Sequence, residues 1–213
     1  MRGKRFAIPI LMVGCVLLSA CATSSRTALY GDGDVYFKLQ RYVTAADIYR
    51  RQAELGDLQA ARKLAWMYEQ GKLGGKDFRQ AAYWYQQLAD QGDAEALYHI
   101  AVIYEYGLGN VEADPARAIE LYTRAANANH VYSQYRLGAL YTQGLAVPPD
   151  YVTAYMWLLL AERHARGCAA RDALCDVALH DGFGYRWRLR QLLTTDQLRT
   201  AQQRVSHWAP QRG

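Results

Sequence analysis

Four side chains able to hold a metal stand close together near the C-terminal end: His164, Cys168, Cys175 and His180. Imidazole and thiolate are common zinc ligands. The two thiols can equally stay free, or join as a disulfide in an oxidising compartment. Seven residues of continuous helix rise about 10.5 Å, beyond the roughly 7 Å between Cα atoms that a disulfide tolerates. A Cys168–Cys175 bridge therefore requires a turn between them, near Asp172. The plainer alternative is a helix with Cys175 as a core residue, in the column of Leu64, Ile100 and Leu137. A second run, Tyr185-Arg-Trp-Arg-Leu-Arg190, interleaves aromatic rings with guanidinium groups. It suits an anionic glycan, a lipid headgroup or an acidic protein face. The bland reading is an amphipathic helix with Trp187 packed inward, and that reading is preferred.

Catalysis has no visible carrier. The chain lacks Gly-x-Ser-x-Gly, a P-loop, a dinucleotide fingerprint and His-Glu-x-x-His. Its carboxylates read as helix caps or as residues scattered along helix faces, and His99, His130 and His207 stand alone. No cofactor and no metal is expected.

The elements that carry these residues begin with a basic start and a short apolar run. Met1-Arg-Gly-Lys-Arg5 precedes the apolar Phe6 to Ala20, too short for a bilayer span of about 20 residues. It ends in Leu18-Ser-Ala-Cys21, which resembles the lipobox of bacterial lipoproteins. The resemblance implies that residues 1–20 are removed and that Cys21 carries the lipid. Ala22 after the cysteine, where the family uses aspartate for inner-membrane retention, implies the outer membrane with the domain facing the periplasm. Residues 21–28 form a short tether, and a monomer held by its N-terminal lipid is expected. That address favours the disulfide, because Cys168 and Cys175 are then the two thiols left.

The 213 residues are 51% hydrophobic and 21% charged, which excludes a disordered chain. The formal charge of +5 falls to 22 basic against 20 acidic residues without Arg2, Lys4 and Arg5. A near-neutral balance argues against nucleic acid.

The middle of the chain repeats itself. Tyr49, Tyr85, Tyr122 and Leu158 recur at intervals of 36, 37 and 36 residues, and Ala45, Ala81, Ala118 and Ala154 keep the same register. Gly56, Gly92 and Asn129 mark one recurrent break; Gly71, Gly107 and Gly144 mark another. Such a period means a solenoid. Asp77, Asp114 and Asp150 are placed to cap helices, with Pro115 at a first helical position. The breaks suit left-handed residues at helix ends, and His130 is a poor cap. First helices are expected over roughly 43–55, 78–91, 115–128 and 151–164, and second helices over 57–70, 93–106 and 130–143. Ala65, Ala101 and Gly138 let helices approach, and Tyr68, Tyr104 and Tyr141 should fill the core between them.

The series Ala81, Tyr85, Ala89, Gly92, Ala96, Ile100, Tyr104, Gly107 and Gly109 resembles the Sel-like repeat, a relative of the tetratricopeptide repeat. The resemblance covers some three and a half units. It implies an all-α superhelical solenoid of helical hairpins over 29–162 that holds protein partners, and it implies nothing catalytic. Residues 163–213 then form an irregular basic segment with capping helices; nine arginines face four acids there. Thr194-x-x-Gln197 suits a capping box. Leu198, Ala201, Val205 and Trp208 make an apolar stripe to cover Met156, Leu159 and Leu160 at the open end. Leu29 to Leu39 suggests a short N-terminal cap helix.

The expected function is a non-enzymatic, lipid-anchored adaptor for another envelope protein. Its groove would use the chemically variable columns of the first helices: Arg50 and Arg51, Tyr83 and Gln87, Glu120 and Arg124. The alternative is a glycan or peptidoglycan binder, since 17 tyrosines and five tryptophans exceed what the repeat columns use.

Overall fold

The computed structural model describes residues 32–168 and 173–210. Cys21 and the whole leader lie outside the described residues, as does the turn expected near Asp172. Among the described residues there are ten α-helices and no strand: α1 (Gly33–Lys38), α2 (Tyr42–Glu54), α3 (Leu58–Glu69), α4 (Phe78–Ala89), α5 (Ala94–Tyr106), α6 (Pro115–Asn127), α7 (Val131–Gln143), α8 (Tyr151–Ala165), α9 (Ala173–Leu192) and α10 (Thr195–His207). A 3-10 turn, Leu108–Asn110, follows α5. The chain divides into two compact units, one up to Leu64 and one from Ala65 onward, with the division inside α3.

In the first unit, Asp32 caps α1 by accepting the Asp34 N–H at 2.9 Å. Gly33 lies under the Tyr49 ring, where an added Cβ would stand 2.6 Å from Cε1. Ala45, Ala46, Ile48 and Tyr49 form the buried face of α2.

In the second unit the caps explain where each helix starts. Asp77, Asp93, Asp114 and Asp150 accept the backbone N–H of Gln80, Ala96, Arg117 and Thr153 at 2.9–3.0 Å. Each such bond satisfies one orphan donor and is worth about 1 kcal/mol. His130 departs from the expectation of a poor cap. Its Nδ1 accepts the Ser133 N–H at 3.2 Å, because a neutral imidazole offers a lone pair where an aspartate offers an oxygen. Gly92, Gly107, Asn129 and Gly144 all have left-handed φ between 63° and 83°, a conformation only glycine and asparagine take cheaply.

The hairpins are clasped by one repeated backbone bond. The N–H groups of Asp77, Asp114 and Asp150 donate to the carbonyls of Tyr68, Tyr104 and Tyr141 at 3.0, 2.8 and 3.1 Å. These tyrosines are only half-buried, at the edge of the core where a core position is expected, and Tyr141 packs against the buried terminal cluster. They sit in the last turn of their helix, and the Arg117 guanidinium lies 4.2 Å from the Tyr104 ring centre. The core belongs instead to Tyr85, Tyr122 and Leu158, with Ala81, Ala101, Ala118 and Ala154 fully enclosed. Gly138 permits the tightest approach: a Cβ there would meet Leu158 Cγ at 2.4 Å.

Beyond α8 come two helices where capping helices are expected. The first, the twenty residues of α9, buries Cys175, Ala178, Gly182 and Leu189. Thr194 and Gln197 form the capping box of α10. Leu198 and Ala201 join Ala154, Tyr155, Leu158, Ala161, Leu189 and Leu193 in one cluster, against which Met156 and Leu159 also pack.

Candidate functional site

The polar groups inside the repeats are spent on stacking. Tyr85 on α4 donates to Glu69 Oε2 at 2.8 Å, and His99 on α5 meets Glu69 Oε1 at 3.1 Å. The Tyr85 and His99 rings stack with centroids 4.5 Å apart. One repeat later, Tyr122 donates to Glu105 Oε2 at 2.7 Å, and Arg136 pairs with Glu105 Oε1. Within the first unit, Tyr49 and Lys63 hold Asp34 in the same way. Each carboxylate is clamped between a tyrosine and a base. Burial works against the charge on Glu69, yet the His99 hydrogen bond and charge, with Tyr85, hold its carboxyl below the usual range. Burial foremost, then Glu105, pushes the Tyr122 phenol far above its ordinary value.

Sequence reading missed this ladder and left His99 alone. The signal was there: Asp34, Glu69 and Glu105 are spaced by 35 and 36, and Lys63, His99 and Arg136 by 36 and 37.

The columns expected to meet a partner face outward. Tyr83 and Gln87 on α4, and Glu120 and Arg124 on α6, are exposed, one turn apart on each helix. In the first unit Arg51 is exposed, and Arg50 is half-buried and pairs with Asp47 at 2.9 Å. Neighbouring residues on the same helices, Ala81, Trp84, Ala118 and Leu121, are buried. Packing thus uses one face of each helix and leaves residues of the other exposed.

The four candidate metal ligands do not converge. Among the described residues no three side chains of metal-ligating type come together. Cys168 and Cys175 are joined by a disulfide, with Cα atoms 6.5 Å apart. His164 Nδ1 meets Oε1 of the fully buried Gln134 at 2.9 Å, whose Nε2 donates to the Ala126 carbonyl. His180 Nδ1 meets the Asp176 carbonyl at 2.9 Å.

The Tyr185–Arg190 run corrects another expectation. Trp187 is 62% exposed, and Leu189, two residues on, takes the inward position. Arg186 is tied to Glu162 on α8. Tyr185 accepts from Gln143 Nε2 at 2.7 Å. Between α7 and α9 lies an open cleft of about 450 Å³ lined by Tyr135, His180, Asp181, Gly184, Tyr185 and Arg188. Burial, helped by Asp181, pushes the Tyr135 phenol up to about 12.

Comparison with known proteins gives this arrangement its family. The family model described as the Sel1 repeat matches residues 58–93, 94–130 and 131–164 without a gap. The chain belongs to the Sel1 repeat family. Each Sel1 unit pairs a helix with the one after the tyrosine clasp, so α5 and α6 make one unit and α7 and α8 the next. The chitin synthase regulator SKT5 of Saccharomyces cerevisiae is 31% identical over 144 residues, covering 66% of this chain and 20% of the yeast protein. Protein sel-1 homolog 2 of Mus musculus is 29% identical over 136 residues, covering 58% of this chain and 19% of that protein. The chain therefore spans about a fifth of the length of these curated relatives. The crystal structure of a Sel1 repeat protein from Oxalobacter formigenes superposes with a TM-score of 0.54 at 26% identity, covering 63% of this chain and 54% of that one.

Proposed function

We propose that this Sel1-repeat chain is a non-enzymatic scaffold of the bacterial cell envelope. In this reading it is anchored by lipid on Cys21 at the outer membrane, faces the periplasm, and holds another envelope protein. Sel1-repeat proteins serve as protein–protein interaction scaffolds, and the yeast relative is by name a regulator. One observation carries the reading. The repeats consume their buried acids and bases in the Tyr–carboxylate–base ladder, and the exposed columns Tyr83, Gln87, Glu120 and Arg124 are left for a partner.

The test is recovery of partners from envelope extract with the membrane-anchored chain and with Glu120→Lys/Arg124→Glu. A protein recovered by the parent and lost by an equally stable variant supports the partner face. Equal recovery removes it, and enrichment on purified sacculi from partner-free extract makes the chain a glycan binder instead. For the anchor, Cys21→Ser should abolish fatty-acid labelling; labelling that persists overturns it.

A further inference from the structure

The outer face of α9 holds side chains that its packing does not explain. Its inner face, with Ala178 and Leu189, is buried in the terminal cluster. On the opposite side Phe183 and Trp187 are 63% and 62% exposed. Being four apart they stand on one stripe, one turn from each other, and Arg190 follows Trp187 by three on the same side. Arg188 and Arg190 are exposed, and no carboxylate pairs with either among the described residues. A single exposed aromatic is ordinary. Two on one turn beside two unpaired guanidinium groups mark a surface that is covered by something.

We propose that this stripe docks on an anionic phospholipid headgroup layer. Trp187 and Phe183 enter the interface, and Arg188 and Arg190 bind lipid phosphates. Three features favour a lipid surface over a protein. Indole rings concentrate at the membrane–water boundary, where one edge is apolar and the N–H remains wet. Arginine lays its stem along apolar surface and offers a planar fork to phosphate oxygens. A stable protein interface buries about 800 Å² on each partner, more than one stripe of one helix supplies, whereas an interfacial helix needs only such a stripe. The charge is complementary as well, with nine arginines against four acids over 163–213. Arg188 lines the cleft together with Asp181 and so bounds the stripe on the cleft side, while Arg190 bounds it on the other. The inference goes beyond the scaffold reading and does not depend on its partner face.

The experiment mixes the full chain with preformed vesicles containing phosphatidylglycerol with brominated acyl chains. The share of fluorescence due to Trp187 is read as the difference between the parent and Trp187→Phe. That share should shift to the blue and be quenched by the brominated chains. Arg188→Gln with Arg190→Gln, at an unchanged melting temperature, should remove most of the quenching, and so should high salt. The proposal is overturned if the Trp187 share keeps the emission of a water-exposed indole on vesicles that bind the protein. Equal quenching on pure phosphatidylcholine overturns it too, because the surface is then not read by charge. Partner recovery with the α6 variant is a separate measurement, so failure of either claim leaves the other standing.

Discussion

Tyr122 on α6 donates a hydrogen bond to Glu105 on α5 across 2.7 Å, inside one Sel1 unit. The ring is fully buried and the carboxylate also holds Arg136. Hydrogen bonds to charged groups contribute about 1.5–3 kcal/mol. Tyr122→Phe keeps the ring packing and removes only that bond. Urea unfolding should show a loss in this range, with an unchanged slope. Combined with Glu105→Gln, the two changes should be non-additive; strict additivity would mean the bond contributes nothing.

Gly138→Ala sets two effects against each other. Replacing glycine inside α7 gains up to about 1 kcal/mol of helix propensity. The new methyl would, however, lie 2.4 Å from Leu158 Cγ and 3.2 Å from the Ala154 carbonyl oxygen. Overpacking of this kind costs about 1–3 kcal/mol. The expected result is a net loss near 1 kcal/mol, and the same change made in a Leu158→Ala background, which lacks Cγ, should cost less. A stabilised Gly138→Ala protein would show that α7 and α8 can separate freely.

The repeat helices and their aspartate caps were legible because their chemistry is local. An aspartate three residues before an amide, or a glycine at a left-handed turn, is readable without knowing the fold. The ladder was not, because Glu69 and His99, or Glu105 and Arg136, lie about thirty residues apart in different repeats. Only aligning the columns by period brings them together. Trp187 was misjudged for a related reason: position on a helix face depends on which residue the neighbour buries, and α8 and α10 bury Leu189. The Tyr68, Tyr104 and Tyr141 column repeats as faithfully as the core columns, yet its side chains stay half-buried and its shared contact is the backbone carbonyl that holds the loop.

The Cys168–Cys175 disulfide closes a loop with a separation of seven residues. Mass spectrometry after alkylation should find both cysteines in one bridged peptide and no free thiol. Chain entropy assigns so short a loop about 2.5 kcal/mol at most. Reduction should therefore lower the melting temperature modestly without unfolding the repeats. Free thiols in protein isolated from an oxidising compartment would remove the bridge.

His164 gives the fold a pH dependence with a definite sign. Burial, then the nearby Arg163 charge, lowers its pKa below the ordinary 6.5. In the unfolded chain it takes up a proton more readily than in the folded one. Its contribution to stability is therefore complete above about pH 6.5 and is lost as pH falls through the folded-state value. The melting temperature should decline from pH 7 toward pH 5.5, and His164→Gln should flatten that slope. Identical slopes would place the titration elsewhere.

The last expectation concerns what closes the open end of the solenoid. Helix α8 carries Met156, Leu159 and Leu160 where the corresponding columns of α4 and α6 hold polar residues. Left bare, these would form an apolar patch that repeat proteins must cover. Leu198 and Ala201 of α10 join that cluster. Arg204 donates to Thr153 at 3.1 Å, and Trp208 packs 5.4 Å from His164, centroid to centroid. A fully buried Leu-sized side chain contributes roughly 1.5–3 kcal/mol, so the partly covered Leu198, Val205 and Trp208 together contribute about 3 kcal/mol. Deleting residues 194–213 should lower the melting temperature and promote association at micromolar concentration. Leu198→Ser, which leaves the backbone of α10 intact, should give a smaller shift in the same direction. A truncated chain that stays monomeric and equally stable would mean that the exposed patch is the seat of a partner, with α10 only resting on it.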